Sequence, residues 1–220
     1  MNWAVTAAAL ILVAYPRFWG YSRHVVTLVH EASHALVALL SGRRLNSIHL
    51  HGNTSGVTTS TGRDRGLGII LTALAGYVGP SLAGLALAAM VVRDHADWAL
   101  WAAVAMAAFV LLHIRNWFGL LVVMLSGGVV ALVIWKLSDE TQQAVALGLA
   151  WFLLIAAPLP VIELYGSRRR GRRTTDADLL ARLTHIPAVV WVGVFLLLTV
   201  GALALGGWWL ADALLLSPSA

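Results

Sequence analysis

Long apolar runs alternate with short polar connections along this chain. Runs with the length and continuity of bilayer-crossing helices lie at about Trp3–Phe18, His24–Leu40, Leu67–Val92, Ala96–Ile114, Trp117–Leu137, Ala144–Leu164 and Ala188–Leu215. The first two are short, so the pattern predicts about six to seven transmembrane helices. Pro158 and Pro160 predict a break in the sixth run, and Pro80 a kink in the third. Ala75, Gly79 and Ala83 form a small-xxx-small stripe suited to a close helix crossing. Between the second and third runs the period changes. Ser47-Ile48-His49-Leu50-His51 alternates polar with apolar, Gly52 to Gly56 is a turn signal, and Val57 to Thr61 is rich in β-branched residues. This predicts a membrane-associated β-hairpin over about 46–62. His49 and His51 point the same way on such a strand and read as a wet polar face.

Composition supports this picture. The chain is 60% hydrophobic and 11% charged, which excludes an ordinary soluble domain and indicates one all-α polytopic membrane domain over residues 1–220. The net charge of +5 sits in connections between apolar runs, where it reports topology rather than a nucleic-acid surface. The basic loop at about 166–175, with its SRRRGRR run from Ser167 to Arg173, is expected to be cytoplasmic. Counting back places Arg115 and the Arg43–Arg65 connection inside, the Arg93–Asp97 and Ser138–Thr141 loops outside, the amino terminus inside and the carboxyl terminus outside. Met1 to Trp19 has no basic leader region and reads as a retained span. Cysteine is absent, so thiolate metal sites and cysteine nucleophiles are excluded.

The chemistry concentrates at His30-Glu31-Ala32-Ser33-His34, inside the second apolar run. Two histidines one helical turn apart present their rings on one face, with Glu31 about 100° further round. This HExxH spacing suits two neutral imidazoles on Zn²⁺ and a carboxylate, Glu31, that deprotonates a water activated by the ion. Ionisable groups in hydrocarbon are costly, which makes the trio a functional site by default. Structural histidines, haem ligation and a transported ion are the other readings of the pair. His34 precedes Gly42 by eight residues, so the ion would lie about 12 Å below the inner surface.

These residues together have a known counterpart. HEASH in an early span, the Gly- and Thr-rich hairpin, AGYVGPSLAG, RNWFG at Arg115–Gly119, and Thr175-Asp176-Ala177 followed by Leu180, Leu183-Thr184 and Pro187 resemble the site-2-protease family of intramembrane zinc metallopeptidases. The closer likeness is to its compact bacterial M50B-like branch. The resemblance implies a peptidase of the bacterial cytoplasmic membrane whose substrates are membrane proteins or peptides. It also implies a third metal ligand, an Asp from a later segment, usually in an L-D-G motif that this chain lacks. Asp176 is the best carry-over and Asp178 the second, while Asn116 stands for the family's asparagine. Asp176 lies eleven residues before Pro187, so Thr175–Ile186 must fold back towards the second span or lie along the interface. A first-turn acid facing the helix dipole is the plainer reading of Asp176. Substrate is expected to add in extended form to a strand edge of the hairpin, Ser47–Thr61, with Ser47, Ile48, Leu50 and Asn116 as the expected substrate-binding residues. Two other functions compete: an inactive membrane protein of this fold that binds or regulates a partner, and a metal or proton transporter. Few ionisable residues beyond His113 and Glu163 occupy the other spans, which disfavours transport.

Overall fold

The computed structural model describes residues 3–169 and 174–216. Arg170 to Arg173, part of the expected basic loop, lie outside the described residues. The element order is α1 (Trp3–Ala14), α2 (Pro16–Leu40), β1 (Arg44–Leu50), β2 (Gly56–Thr61), α3 (Leu67–Val91), α4 (Ala96–His113), α5 (Trp117–Lys136), α6 (Asp139–Ala156), α7 (Pro158–Arg169), α8 (Asp176–Thr184) and α9 (Ala188–Leu216).

Among the described residues, five helical runs are long and apolar enough to span a membrane: α3, α4, α5, the run Asp139–Ser167 and α9. The pair α1 and α2 qualifies only jointly, bent by 95°, and makes a sixth span when counted as one. The first two apolar runs are thus divided differently from expectation. The first ends at Ala14 instead of Phe18, and α2 starts at Pro16 instead of His24. The cause is local. Tyr15 precedes proline and takes an extended conformation (φ −87°, ψ 116°), because the proline ring disfavours helical geometry in the residue before it. Pro16 then opens the new helix, where its missing N–H costs nothing. The expected break at Pro158 is slight: Ala157 keeps right-handed helical angles, and α6 and α7 form one 29-residue run.

The two strands form an antiparallel pair with Ile48 opposite Thr58 and Leu50 opposite Gly56, interrupted by a register shift between Leu45 and Ser47. Ile48 and Leu50 are fully buried against Leu28, Ala32 and Ala35 of α2, Val110 of α4 and Val123 of α5. The hairpin is thereby packed into the helical body. Its turn folds back along α2, where the Thr27 hydroxyl donates to Thr54 O at 3.0 Å.

The ladder also fixes which edge is open. His51 N donates to Ser55 O, so by strict alternation the pairs Leu50–Gly56 and Ile48–Thr58 are those whose backbone groups point away from the partner strand. On the β1 side these groups are used. Arg115 N donates to Ile48 O at 3.0 Å, Asn116 Nδ2 donates to Leu50 O at 2.6 Å, and Leu50 N donates to Asn116 Oδ1 at 3.1 Å. On the β2 side the outward groups of Gly56 and Thr58 have no backbone partner among the described residues and form the free edge.

Candidate active site

His30 and His34 project from α2 towards α3. Their rings meet edge to face with centroids 4.7 Å apart, and the two Nε2 atoms are 3.1 Å apart. His34 Nδ1 lies 2.7 Å from Thr72 O. A carbonyl only accepts, so Nδ1 carries the proton and Nε2 keeps its lone pair for a ligand. Tyr77 of α3 packs edge-on to His30 with centroids 4.8 Å apart and stacks on Phe195 of α9 at 5.0 Å.

This packing needs glycine on α3. A Cβ at Gly76 would fall 2.7 Å from His30 Cε1 and 2.5 Å from His34 Cε1, and one at Gly79 would overlap the Ser33 side chain. The AGYVGPSLAG stretch therefore does more than allow a close helix crossing: Gly76 makes room for the two imidazoles.

Asp176 reaches the pair from α8. That helix folds back as its sequence requires, with Ala177 and Leu180 buried against Ala73, Val161, Leu164 and Phe195. Thr175 caps it. The Thr175 backbone N–H donates to Asp178 Oδ2 at 3.1 Å and the Asp178 backbone N–H donates back to the Thr175 side chain, a reciprocal capping box, while the Thr175 hydroxyl also donates to Asp178 Oδ2 at 2.6 Å. The two acids of the TDAD stretch are thus separated. Asp178 caps the helix, while Asp176 Oδ2 lies 3.3 Å from His30 Nε2 and 3.2 Å from His34 Nε2.

The three donors fit a metal ion. Their ligand atoms lie within 4.8 Å of one another. A small tetrahedral ion with bonds of about 2.0–2.1 Å sets its ligand atoms about 3.3 Å apart, and the separations here are 3.1, 3.2 and 3.3 Å. Glu31 sits beside them, 4% exposed, and its Oε2 accepts a hydrogen bond from the Thr58 hydroxyl at 2.7 Å.

His30, Glu31, His34, Thr58 and Asp176 line one partly open cavity of about 1060 Å³, whose wall includes residues 53–60 of the hairpin. A family model, peptidase M50B-like, matches residues 3–206. The chain belongs to the M50B-like peptidase family. No curated protein and no solved structure matches it.

Within this M50B-like chain, the residues expected to take the substrate are arranged differently from the sequence reading. Ser47, Ile48, Leu50 and Asn116 do not line the cavity. Ile48 and Leu50 are core residues, Ser47 Oγ pairs with Thr59 Oγ1 at 2.8 Å, and Asn116 closes the outer edge of β1. The open edge belongs to β2. That distinction depends on the contact between β1 and the residues after α4, more than sixty positions away, and no local pattern announces it. Gly76, Tyr77, Gly56 and Thr58 were likewise missed. Glu163, one of the few ionisable residues in the later spans, pairs across the cavity wall with Arg23 (Nη2 to Oε2 2.6 Å), and Trp19 Nε1 lies 3.5 Å from Glu163 Oε1.

Proposed function

We propose that this protein is a zinc-dependent endopeptidase of the bacterial cytoplasmic membrane, cutting membrane-embedded or membrane-proximal segments. The observation that carries the reading is the convergence of His30, His34 and Asp176 beside Glu31, in a cavity walled by the β2 strand, whose outer edge is unpaired among the described residues. The depth agrees with it. The site is level with Thr72 and Tyr77 of α3, five and ten residues from Leu67, or about 8–15 Å along the helix axis. A polar cavity brings water to that depth, which packed lipid does not.

Zinc, when bound, supplies a Lewis acid that makes water acidic near neutral pH and polarises a peptide carbonyl. Its holders are His30, His34 and Asp176; Thr72 sets the tautomer of His34, and Asp176 supplies negative charge. Glu31 takes the proton from the attacking water and delivers it to the departing amide nitrogen. A transmembrane helix hides its peptide bonds in its own hydrogen bonds, so the substrate must unwind locally. The outward N–H and C=O groups of Gly56 and Thr58 satisfy the backbone groups this frees, by strand addition.

The test uses full-length protein in proteoliposomes with a panel of single-span peptides labelled at both ends. Wild type is expected to contain one metal ion per chain and to cleave. Glu31→Gln is expected to keep the metal and lose cleavage by about 10²–10⁴-fold. Cleavage persisting at the wild-type rate in Glu31→Gln, or purified wild type without metal, overturns the proposal. Metal-loaded wild type that cuts nothing favours the inactive, partner-binding alternative.

A further inference from the structure

We infer that Thr58 is the positioning residue for Glu31, so that β2 holds the base and the substrate in a single register. The inference rests on the endopeptidase reading above.

The Glu31 carboxylate lies across β2. Its Oε2 accepts from the Thr58 hydroxyl at 2.7 Å, and the same hydroxyl is 3.1 Å from Glu31 O. Among the described residues, no other hydrogen-bond donor reaches this carboxylate. Its Oε1 lies over Gly56, where a Cβ would fall 2.5 Å from it. Gly56 and Thr58 are two apart, so they share a face of the strand. Gly56 leaves the space and Thr58 supplies the anchor. A threonine side chain is stiff at χ1, which makes the anchor directional.

These two residues are also the ones whose backbone groups point out of the ladder, by the alternation set at His51 and Ser55. A peptide added to the free edge therefore bonds to the backbone of the residue that holds the carboxylate. Binding and base placement are coupled through one strand, and a shift of β2 moves both together. Thr58 acts through Glu31 and is a positioning residue.

The experiment measures kcat, KM, metal content and thermal stability of the full-length protein on one cleavable test peptide. Thr58→Val keeps the shape and removes the donor. It is expected to retain metal and fold, to lose about 10- to 100-fold in kcat, as an ångström-scale misplacement does, and to change KM less than about twofold. Thr58→Ser restores most of the lost turnover. Unchanged kcat in Thr58→Val, a loss carried by KM, or a Thr58→Ser variant as slow as Thr58→Val each overturns the inference. Should Thr58→Val fail to fold, Gly56→Ala displaces the carboxylate while sparing the hydroxyl. A fall in its kcat at full metal content supports the inference, and unchanged kcat overturns it. Failure of the underlying reading is seen elsewhere, in wild type without metal or in Glu31→Gln that still cleaves.

Discussion

Gly76→Ala adds one methyl group to α3 at the point where the two imidazoles lie against it. The new Cβ would sit 2.7 Å from His30 Cε1 and 2.5 Å from His34 Cε1, against an ordinary carbon–carbon contact of about 3.5–4.0 Å. One partner must therefore yield by about 1 Å. His34 is tied through Nδ1 to Thr72 O of the same helix, so moving its ring breaks that bond or tilts Nε2 away from His30 and Asp176. Metal sites tolerate about 0.2 Å in ligand position, and weakening a supporting contact typically costs about 10- to 100-fold in metal affinity. Overpacking itself costs about 1–3 kcal/mol, partly offset by the better helix propensity of alanine. The assay is competition with a chromogenic chelator in detergent, alongside helix content by circular dichroism. Gly76→Ala is expected to bind metal at least about tenfold more weakly at wild-type helicity. Gly193→Ala in α9, where an added Cβ meets nothing within 4 Å, is expected to match wild type. Wild-type metal affinity in Gly76→Ala would refute the claim that this glycine exists to admit the histidines.

The two acids of α8 should separate cleanly. Asp176→Asn is expected to lose metal, whereas Asp178→Ala is expected to keep it and lose about 1 kcal/mol of stability with its cap, read by metal analysis and thermal melting. Asn116→Ala removes both side-chain bonds to Leu50 and should destabilise the protein by about 1–3 kcal/mol without changing metal content in the folded fraction. The Arg23–Glu163 pair is partly exposed, at 26% and 45%. Arg23→Ala should therefore cost less than about 1 kcal/mol, and a larger loss on melting would mean that the pair holds α2 and α7 together. If α1 and α2 form one bent span, the resulting six spans place the start of α1 on the face opposite Arg63. Labelling of single cysteines with an impermeant reagent in intact cells reads this directly, and co-labelling of the two positions would require α1 and α2 to cross separately.

Much of this architecture was legible because it is locally encoded. The apolar runs from α3 onward follow from length and composition, the hairpin from alternation and a Gly-bounded turn, and the His30–Glu31–His34 cluster from helical spacing alone. The bend at Tyr15 was signalled by Pro16, yet the continuous apolar character of the first run outweighed that signal in the reading. Asp176 was reached through the family resemblance that Thr175, Ala177 and Leu180 help to carry, and not through a local pattern. The geometry then shows why it and Asp178 differ: one caps α8 and the other faces α2. What escaped the sequence is defined across space. Gly76 matters because of His30 and His34 on another helix, and Thr58 because of Glu31 lying over its strand. The choice between β1 and β2 as the open edge depends on Ile114 to Asn116 closing the other side. Neither periodicity nor spacing carries such information.

The central claim is that two imidazoles and the Asp176 carboxylate hold a catalytic zinc ion within the membrane. X-ray absorption at the zinc edge of the purified protein tests it most directly. The account expects two imidazole nitrogens and a carboxylate oxygen at about 2.0–2.2 Å with one further light-atom donor, and an altered first shell or loss of zinc in Asp176→Asn. Protein that carries no zinc, or a spectrum unchanged by Asp176→Asn, would contradict it.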